Sequence, residues 1–215
     1  MSELTLYGET GFVSPWVFHA MVALEEKQLP YRLELVPLPI PEAQKAMLRE
    51  KSVFGKVPIL VHHRPAGDVW ISESLAISEY LAETFRTPKY PRLFPADLAE
   101  RARARQLMSY LRTSLFALRE DRPTSTVFGR PSIKPLTAKG QADAAELIRI
   151  ASRLIVPGAK SLFAEWCIAD VDLTLTLMRL VANADAVPQP LVDYVLASWD
   201  RKSVHRYMAM IPTTH

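Results

Sequence analysis

The stretch that decides the fold is "LTLYGETGFVSPWVFHAMVALEEKQLPYRLELV", residues 4–36. Its first five residues have the apolar character of a strand, and from Ser14 onward Trp16, Ala20 and Leu24 recur at helical spacing. The triplet "LPY" ends that helix, and "YRLELV" follows as a second strand. A strand, a helix and a strand in this order predict an α/β unit.

The rest of the first half extends this unit. After a proline-rich loop, a helix is expected over residues 42–51. The segment "VPILVHHRPAGDVWI", residues 57–71, predicts a hairpin whose His62 and His63 are exposed at a strand end. The segment "SESLAISEYLAETF", residues 72–85, then predicts a helix. We therefore expect an α/β domain over residues 1–86.

The second half has a different pattern. "RTPKYPRLFP", residues 86–95, holds three prolines, which predicts a linker over residues 87–96. Beyond it we expect an all-α domain over residues 97–215, with a loop over residues 123–135. Its predicted helices cover residues 97–119, 137–156, 170–184 and 190–199, and a last one starts at Lys202.

Composition narrows the function classes. The chain has 215 residues, 49% of them hydrophobic, a formal net charge of +3 and one cysteine. No secretory signal and no apolar run long enough to cross a bilayer is predicted, and one cysteine suits a reducing compartment, so a soluble cytoplasmic protein is expected. The densest basic stretch, "ERARAR" at residues 100–105, lacks the aromatic residues that stack on bases, so no nucleic-acid partner is expected.

The start of the first helix is the first candidate for chemistry. Ser14 stands at the N-cap position and Pro15 at the first helical position, where a missing N–H costs nothing. A sulfur placed over this helix end would receive the hydroxyl's hydrogen bond and face the positive end of the dipole, and both effects favour a thiolate. The same pattern is typical of an ordinary helix cap, so both interpretations stay open.

Two further segments are candidates for ligand contacts. In "GKVPIL", residues 55–60, a cis bond before Pro58 would turn the Val57 backbone outward to pair with a peptide, whereas a trans bond would start an ordinary edge strand. In "ISES", residues 71–74, Ser74 is expected to cap the helix and attract a carboxylate, and Glu73 beside it suits an ammonium group. A plain cap with a solvated glutamate is the alternative.

Five segments in this order resemble the cytosolic glutathione transferases: "SPWVFHAMVALEEKQLPY", "GKVPIL", "ISES" with "ISEYL", "LFPADLAERARAR" and "FAEWCIADVDLTL". The segments "RARARQ", "REDRPT" and "FAEWCIAD" are most similar to a small bacterial branch called YfcF-like. The resemblance implies a thioredoxin-like N-terminal domain, an all-α C-terminal domain, a cis bond before Pro58 and a two-fold homodimer. It also implies glutathione as co-substrate.

Roles follow from the resemblance residue by residue. Val57 would pair with the cysteinyl part of glutathione, and Glu73 and Ser74 would hold the γ-glutamyl head. Lys56 would approach the glycyl carboxylate, with an ordinary solvated lysine as the alternative. Ser14 matches the hydroxyl of serine-type members, with Tyr7 and Thr10 as the alternative catalytic residues. The family often has Asn-Pro before its Gly-Lys-Val-Pro pattern, and this chain has residues 51–54, "KSVF", there instead.

Cys167 and the histidines are not expected to do chemistry. Cys167 stands at the helix-starting position where the family usually has Ser or Thr, and Asp170 is placed to reach back to its N–H. The histidines show no ligand spacing with carboxylates, so no metal site is predicted.

The expected function is a glutathione transferase that activates the thiol for attack on a small electrophile. Two alternatives stay open. The same site would serve a glutathione-dependent peroxidase or disulfide reductase, and the fold would also serve a non-catalytic binding protein.

Overall fold

The computed structural model describes residues 3–212, so the first two residues of the predicted N-terminal domain and the last three of the predicted C-terminal domain lie outside the described part of the chain. Packing divides the protein into two compact units. Among the described residues, unit 1 comprises residues 3–93 and 206–212, and unit 2 runs from Phe94 to His205. The expected linker residues up to Leu93 therefore pack with unit 1, as does the segment that begins at Arg206.

Unit 1 contains a four-stranded sheet with helices, as predicted. Its elements are β1 (Leu4–Glu9), α1 (Pro15–Glu26), β2 (Tyr31–Val36), α2 (Glu42–Ser52), β3 (Ile59–His62), β4 (Val69–Ser72) and α3 (Ser74–Thr84). The strand order is β2-β1-β3-β4, with β1 parallel to β2 and β3 antiparallel to both of its neighbours. The parallel pair arises because α1 connects β1 to β2 as a crossover.

Helix α1 is buried along most of its length. Every residue from Val17 to Leu24 is buried, which is the pattern of a helix packed on several sides rather than of a surface helix. At its C-terminal end the ammonium group of Lys27, only 1% exposed, donates a hydrogen bond to the Phe85 carbonyl oxygen at the end of α3. This bond satisfies one carbonyl that the helix geometry leaves without an internal partner.

Unit 2 is helical, as predicted, and differs from the expectation in two places. Its helices are α4 (Leu98–Thr113), α5 (Phe116–Asp121), α6 (Ser125–Phe128), α7 (Ala138–Leu154), α8 (Ile168–Val181), α9 (Gln189–Trp199) and α10 (Lys202–Met208), the last of which ends in unit 1. The helix predicted over residues 97–119 is broken, because Ser114 is extended and Leu115 has a φ of 57°. The loop predicted over residues 123–135 contains the short helix α6.

The break after α4 has a packing reason. Leu115 and Leu118 are both buried in the core cluster of unit 2, and the left-handed turn allows both side chains to reach it. The Leu118 N–H at the start of α5 donates to Asp143 Oδ2 of α7 at 3.1 Å. A side chain from another helix therefore replaces the local cap that a new helix start requires.

The start of α8 has the predicted reach-back of Asp170. Its carboxylate is fully buried and accepts hydrogen bonds from the Cys167 N–H at 2.9 Å, the Leu162 N–H at 2.8 Å and the Tyr194 hydroxyl at 2.7 Å. Burial raises the pKa of the Cys167 thiol, so this cysteine is held in its unreactive form.

Over residues 3–212, none of the helices is both long enough and apolar enough to cross a membrane.

Candidate active site

One edge of the unit 1 sheet gathers the predicted site segments. In the register of the sheet, Tyr7 of β1 lies opposite Ile59 of β3, and Ile59 lies opposite Ser72 of β4. Because β3 is antiparallel to both neighbours, the end of β1, the start of β3 and the end of β4 lie at the same edge. The loop that leads to Ser14, the pair Val57–Pro58 and the pair Glu73–Ser74 all leave the sheet there.

Ser14 has the predicted N-cap geometry. Its backbone is extended, with φ −75° and ψ 121°, and its Oγ accepts from the Val17 N–H at 3.4 Å. Pro15 occupies the first helical position and no acidic residue lies in the first turn, so α1 itself contributes no carboxylate that would oppose an anion at its start. The half-buried hydroxyl accepts one hydrogen bond and keeps its own proton for donation.

Glu9 is a residue of this site that the sequence interpretation missed. It is the last residue of β1 and is 1% exposed. Its Oε1 accepts from the Val13 N–H at 2.6 Å and from the Ser14 N–H at 3.0 Å, and its Oε2 accepts from the Gly11 N–H at 2.6 Å. The signal for it is indirect. The N–H groups of the loop after β1 need acceptors, and Glu9 is the carboxylate that directly precedes this loop in the sequence.

Tyr207 of α10 also contacts this loop from the far end of the chain. Its hydroxyl lies 3.5 Å from the Ser14 carbonyl oxygen, and its ring packs edge-on against Phe12 and Phe18 with centroid distances of 5.5 and 5.0 Å. Burial, with a contribution from the Glu9 carboxylate, raises the pKa of the Tyr207 phenol. Tyr207 therefore keeps its proton and acts as a donor rather than as an anion.

Val57 precedes Pro58 with a cis peptide bond, as the resemblance implies. Within residues 3–212, the Val57 backbone forms no hydrogen bond to another part of the chain. Its N–H and C=O are thus available just before the start of β3, and an unpaired extended backbone of this kind can pair with a peptide.

The loop before Val57 has a defined shape despite its unusual sequence. Helix α2 continues to Ser52, whose carbonyl oxygen accepts from the Ser72 hydroxyl at 3.0 Å. Val53 then has a φ of 71° and Gly55 a φ of 61°. A Cβ at Gly55 would approach the Arg49 side chain to 2.5 Å, so glycine is required there both for its φ and for space.

The prediction that Ser74 caps α3 is wrong by one residue. Glu73 is the N-cap residue, with φ 68° and ψ 115° and no side-chain capping bond, and Ser74 is the first helical residue. A non-glycine residue with positive φ is uncommon and indicates that its surroundings hold it in that conformation. The exposed Glu73 carboxylate and the Ser74 hydroxyl, whose residue is 2% exposed, lie next to each other at the positive end of α3.

A buried contact connects α1 with α3 behind this pair. His19 Nε2 lies 2.7 Å from Ser78 Oγ, and the Ser78 hydroxyl donates to the Ser74 carbonyl oxygen at 3.0 Å. His19 and Ser78 are both fully buried. The contact joins the two helices whose first residues form the candidate site.

The other candidate residues lie in different surroundings. Tyr7 is two residues before the end of β1 and its ring stacks on Trp70 at 5.7 Å. Thr10 is exposed and its N–H donates to the Val36 carbonyl oxygen at 3.0 Å. Lys56 is exposed directly before Val57.

Neither histidine of the hairpin is exposed, contrary to the prediction. His62 is 4% exposed and lies 2.7 Å from the Tyr80 hydroxyl and 2.9 Å from Glu3 Oε1. His63 is half-buried, between Thr5 and Asp68. Among the described side chains, no group of three or more histidines, cysteines and carboxylates is arranged to hold a metal ion.

Family models match both units of the chain. The model of the glutathione S-transferase C-terminal domain matches residues 97–212, and that of the glutathione S-transferase N-terminal domain matches residues 13–84. The chain belongs to the glutathione S-transferase family. The predicted fold, with a thioredoxin-like N-terminal part and an all-α C-terminal part, is confirmed by these matches and by the sheet and helices described above.

Individual relatives agree with this family. Among curated proteins, glutathione S-transferase U13 of Arabidopsis thaliana is 35% identical over 104 residues, which are 48% of this chain and 43% of that protein. The chain thus aligns with less than half of the length of that relative.

Two solved structures match over nearly the whole chain. A glutathione transferase homologue from Burkholderia BGR1, solved with bound glutathione, is 33% identical with a TM-score of 0.76 and 97% of both chains covered. A theta class glutathione S-transferase from Xanthomonas axonopodis pv. citri, solved with glutathione bound, has a TM-score of 0.73 at 20% identity, with 100% of this chain and 99% of that chain covered. The second likeness supports the fold alone.

Proposed function

We propose that this glutathione S-transferase family member binds glutathione at the described sheet edge and ionises its thiol at the start of α1. The observation that carries the proposal is that the Ser14 hydroxyl, at the N-cap of α1, shares one sheet edge with the Val57 backbone and with Glu73–Ser74. In this proposal the Ser14 hydroxyl donates a hydrogen bond to the sulfur, and the dipole of α1 lowers the pKa of the thiol.

The other residues would hold the tripeptide. The Val57 N–H and C=O would pair with its cysteinyl backbone. The N–H groups at the start of α3 and the Ser74 hydroxyl would donate hydrogen bonds to the γ-glutamyl carboxylate. The Glu73 carboxylate would bind the ammonium group. The exposed Lys56 ammonium would lie toward the glycyl carboxylate. The ammonium group and the glycyl carboxylate would thereby meet side chains of opposite charge, and the γ-glutamyl carboxylate would meet the positive end of a helix dipole.

The chemical step would then be a displacement or addition at a small electrophile. The thiol proton leaves to solvent on binding, the thiolate forms a C–S bond, and a leaving group, where there is one, departs with its electron pair. The protein's contribution is electrostatic stabilisation of the thiolate before attack. Reduction of a peroxide or a disulfide by the same thiolate is the alternative chemistry, as the resemblance to the YfcF-like branch suggests.

The decisive experiment compares the three candidate hydroxyls. We expect Ser14→Ala to lower kcat at least tenfold while the Kd for glutathione stays within about threefold, because the hydroxyl acts on the sulfur and not on the rest of the tripeptide. Thr10→Ala in the same loop and Tyr7→Phe on β1 are matched controls and should stay near wild type. Unchanged turnover in Ser14→Ala, or an equal loss in either control, would reject the assignment.

The head-group assignment is tested by binding. Glu73→Gln and Ser74→Ala should each weaken glutathione affinity at least fivefold by calorimetry, whereas Glu83→Gln, an exposed glutamate at the other end of α3, should leave it unchanged. Wild-type affinity in both variants would contradict it.

Side-by-side assays with an aryl halide, cumene hydroperoxide and a small disulfide would then rank the chemistries. If the protein binds glutathione but turns over none of these substrates, a non-catalytic role is favoured.

We also propose a cytoplasmic homodimer. The resemblance implies the dimer, and the Phe54 side chain of unit 1, 55% exposed, is apolar surface that a second copy would cover. Light scattering coupled to size-exclusion chromatography measures the mass directly, and a mass of one chain at micromolar concentration would refute the dimer.

A further inference from the structure

The loop between β1 and α1 depends on one side chain for most of its backbone hydrogen bonds. Its five N–H groups belong to residues 10–14. The Gly11, Val13 and Ser14 groups donate to the Glu9 carboxylate, and the Phe12 N–H donates to the Glu9 carbonyl oxygen at 3.4 Å. The Thr10 N–H is the exception and donates to Val36. Glu9 therefore accepts four of the five donors that lead to Ser14.

The three bonds from the Gly11, Val13 and Ser14 N–H groups to the Glu9 side chain form a clamp, and this clamp requires a carboxylate. An ionised carboxylate is acceptor-only, so both oxygens can face N–H groups without any competing donor. Bonds to a charged acceptor are shorter and stronger than neutral ones, which agrees with the two distances of 2.6 Å. A glutamine of the same shape keeps one oxygen and places an NH₂ group against at least one of the N–H groups.

The clamp also determines where α1 starts. Phe12 has a φ of 49°, a value that a non-glycine residue adopts only when its surroundings hold it there. The bond from the Ser14 N–H to Glu9 places the N-cap residue itself, and the Ser14 hydroxyl moves with that backbone. A small displacement of a positioning group costs a large factor in rate.

We propose that Glu9 is a positioning residue for the thiol chemistry, which holds the Ser14 hydroxyl at the place where the sulfur is ionised. The inference rests on the proposed function, since it concerns the same sulfur. Glu9 does not touch the sulfur in this proposal and acts only through the loop backbone.

Geometry and charge make opposite predictions for this residue. As a charge alone, the buried carboxylate behind the helix start disfavours a second anion, so its neutralisation would lower the pKa of the bound thiol. As a clamp, its loss displaces the Ser14 hydroxyl and raises that pKa. The sign of the change in Glu9→Gln therefore decides between the two roles.

The first measurement needs no glutathione. Amide hydrogen exchange of the ligand-free protein should show at least tenfold faster exchange at Gly11, Val13 and Ser14 in Glu9→Gln than in wild type. Asp170→Asn is the matched control, because it removes a buried carboxylate that also accepts N–H groups at a helix start, but in unit 2. It should lower the melting temperature and leave exchange at residues 11–14 unchanged. Wild-type exchange at these residues in Glu9→Gln would overturn the clamp.

The second measurement follows the sulfur. Titration of the ultraviolet thiolate band of bound glutathione should give a higher thiol pKa in Glu9→Gln than in wild type. In steady-state assays kcat should fall at least tenfold with the KM for glutathione within about threefold, and Glu9→Asp, which keeps the charge, should recover part of the loss. A lower or unchanged thiol pKa in Glu9→Gln would overturn the inference.

The two proposals fail in different ways. If wild-type protein ionises bound glutathione no better than water does, the proposed function fails, and the role of Glu9 toward the sulfur fails with it. If wild-type protein ionises it normally and Glu9→Gln does the same, only the Glu9 inference is overturned. Asp170→Asn controls for loss of stability in both cases, since its kcat per folded molecule should match wild type.

Discussion

His19 Nε2 lies 2.7 Å from Ser78 Oγ, and this buried contact joins the helix that starts at Pro15 to the helix that starts at Ser74. The Ser78 hydroxyl also donates to the carbonyl oxygen of Ser74, four residues earlier. The two helix ends that would meet the sulfur and the γ-glutamyl head are therefore connected inside unit 1.

Removal of the Ser78 hydroxyl should weaken glutathione binding from a distance. Ser78→Ala breaks both contacts, and we expect about 1–3 kcal/mol lower stability together with a three- to tenfold higher Kd, because the start of α3 loses its support. Calorimetry and thermal unfolding measure the two effects. Thr176→Val is the control, since the buried Thr176 hydroxyl makes the same bond to a carbonyl four residues earlier, but in α8. Equal Kd values in Ser78→Ala and wild type would contradict the prediction.

Val53→Gly should raise stability. Val53 is 75% exposed and has a φ of 71°, so a branched side chain occupies a conformation that costs about 1–3 kcal/mol and gains little from burial. Glycine removes that cost and loses roughly 0.5–1 kcal/mol to the entropy of the unfolded chain. The melting temperature should therefore rise, whereas Val156→Gly, at a 70% exposed valine without positive φ, should lower it or leave it unchanged. A lower melting temperature for Val53→Gly would show that the turn is not strained.

Lys27 should make stability depend on alkaline pH. Burial, and then the positive charge of Arg92, lowers the pKa of the Lys27 ammonium group. Between this lowered value and the unfolded pKa of about 10.4, the unfolded chain binds more protons than the folded one, so the free energy of unfolding rises with pH. Wild type should therefore gain stability relative to Lys27→Met between about pH 7 and about pH 10.

Urea unfolding at both pH values measures the Lys27 effect. Lys139→Met, at an exposed lysine of α7, removes the same formal charge and corrects for the change in net charge. If wild type instead loses stability relative to Lys27→Met as pH rises, the ammonium is stabilised, not penalised, by its site.

Local patterns were sufficient for the parts of the site that depend on neighbouring residues. The N-cap role of Ser14 follows from a hydroxyl before proline at the start of an apolar helix period, and the structure confirms it. The hairpin follows from two apolar runs around a Pro-Gly turn. The cis bond before Pro58 was predictable only through the family resemblance, because the residues alone allow either isomer.

Other features have no signal in the local pattern. Tyr207 meets Ser14 across 193 positions of the chain, and its ordinary helical surroundings do not indicate that contact. The N-cap of α3, which is Glu73, was placed one residue too late because the positive φ of a glutamate is set by its surroundings and not by its own preference. The break at Leu115 likewise follows from core packing, since its residues suit a continuous helix.

The position of Tyr207 in unit 1 has a consequence for synthesis on the ribosome. Phe12 and Phe18 emerge early in translation, whereas the ring that packs between them is added almost two hundred residues later. Until α10 has left the exit tunnel, Phe12 and Phe18 therefore lack the ring against which they pack in the folded protein. A fragment that stops at Leu93 lacks this ring, because unit 1 is built from two separate parts of the chain. Unit 1 therefore cannot be expressed in full as one contiguous fragment of this sequence.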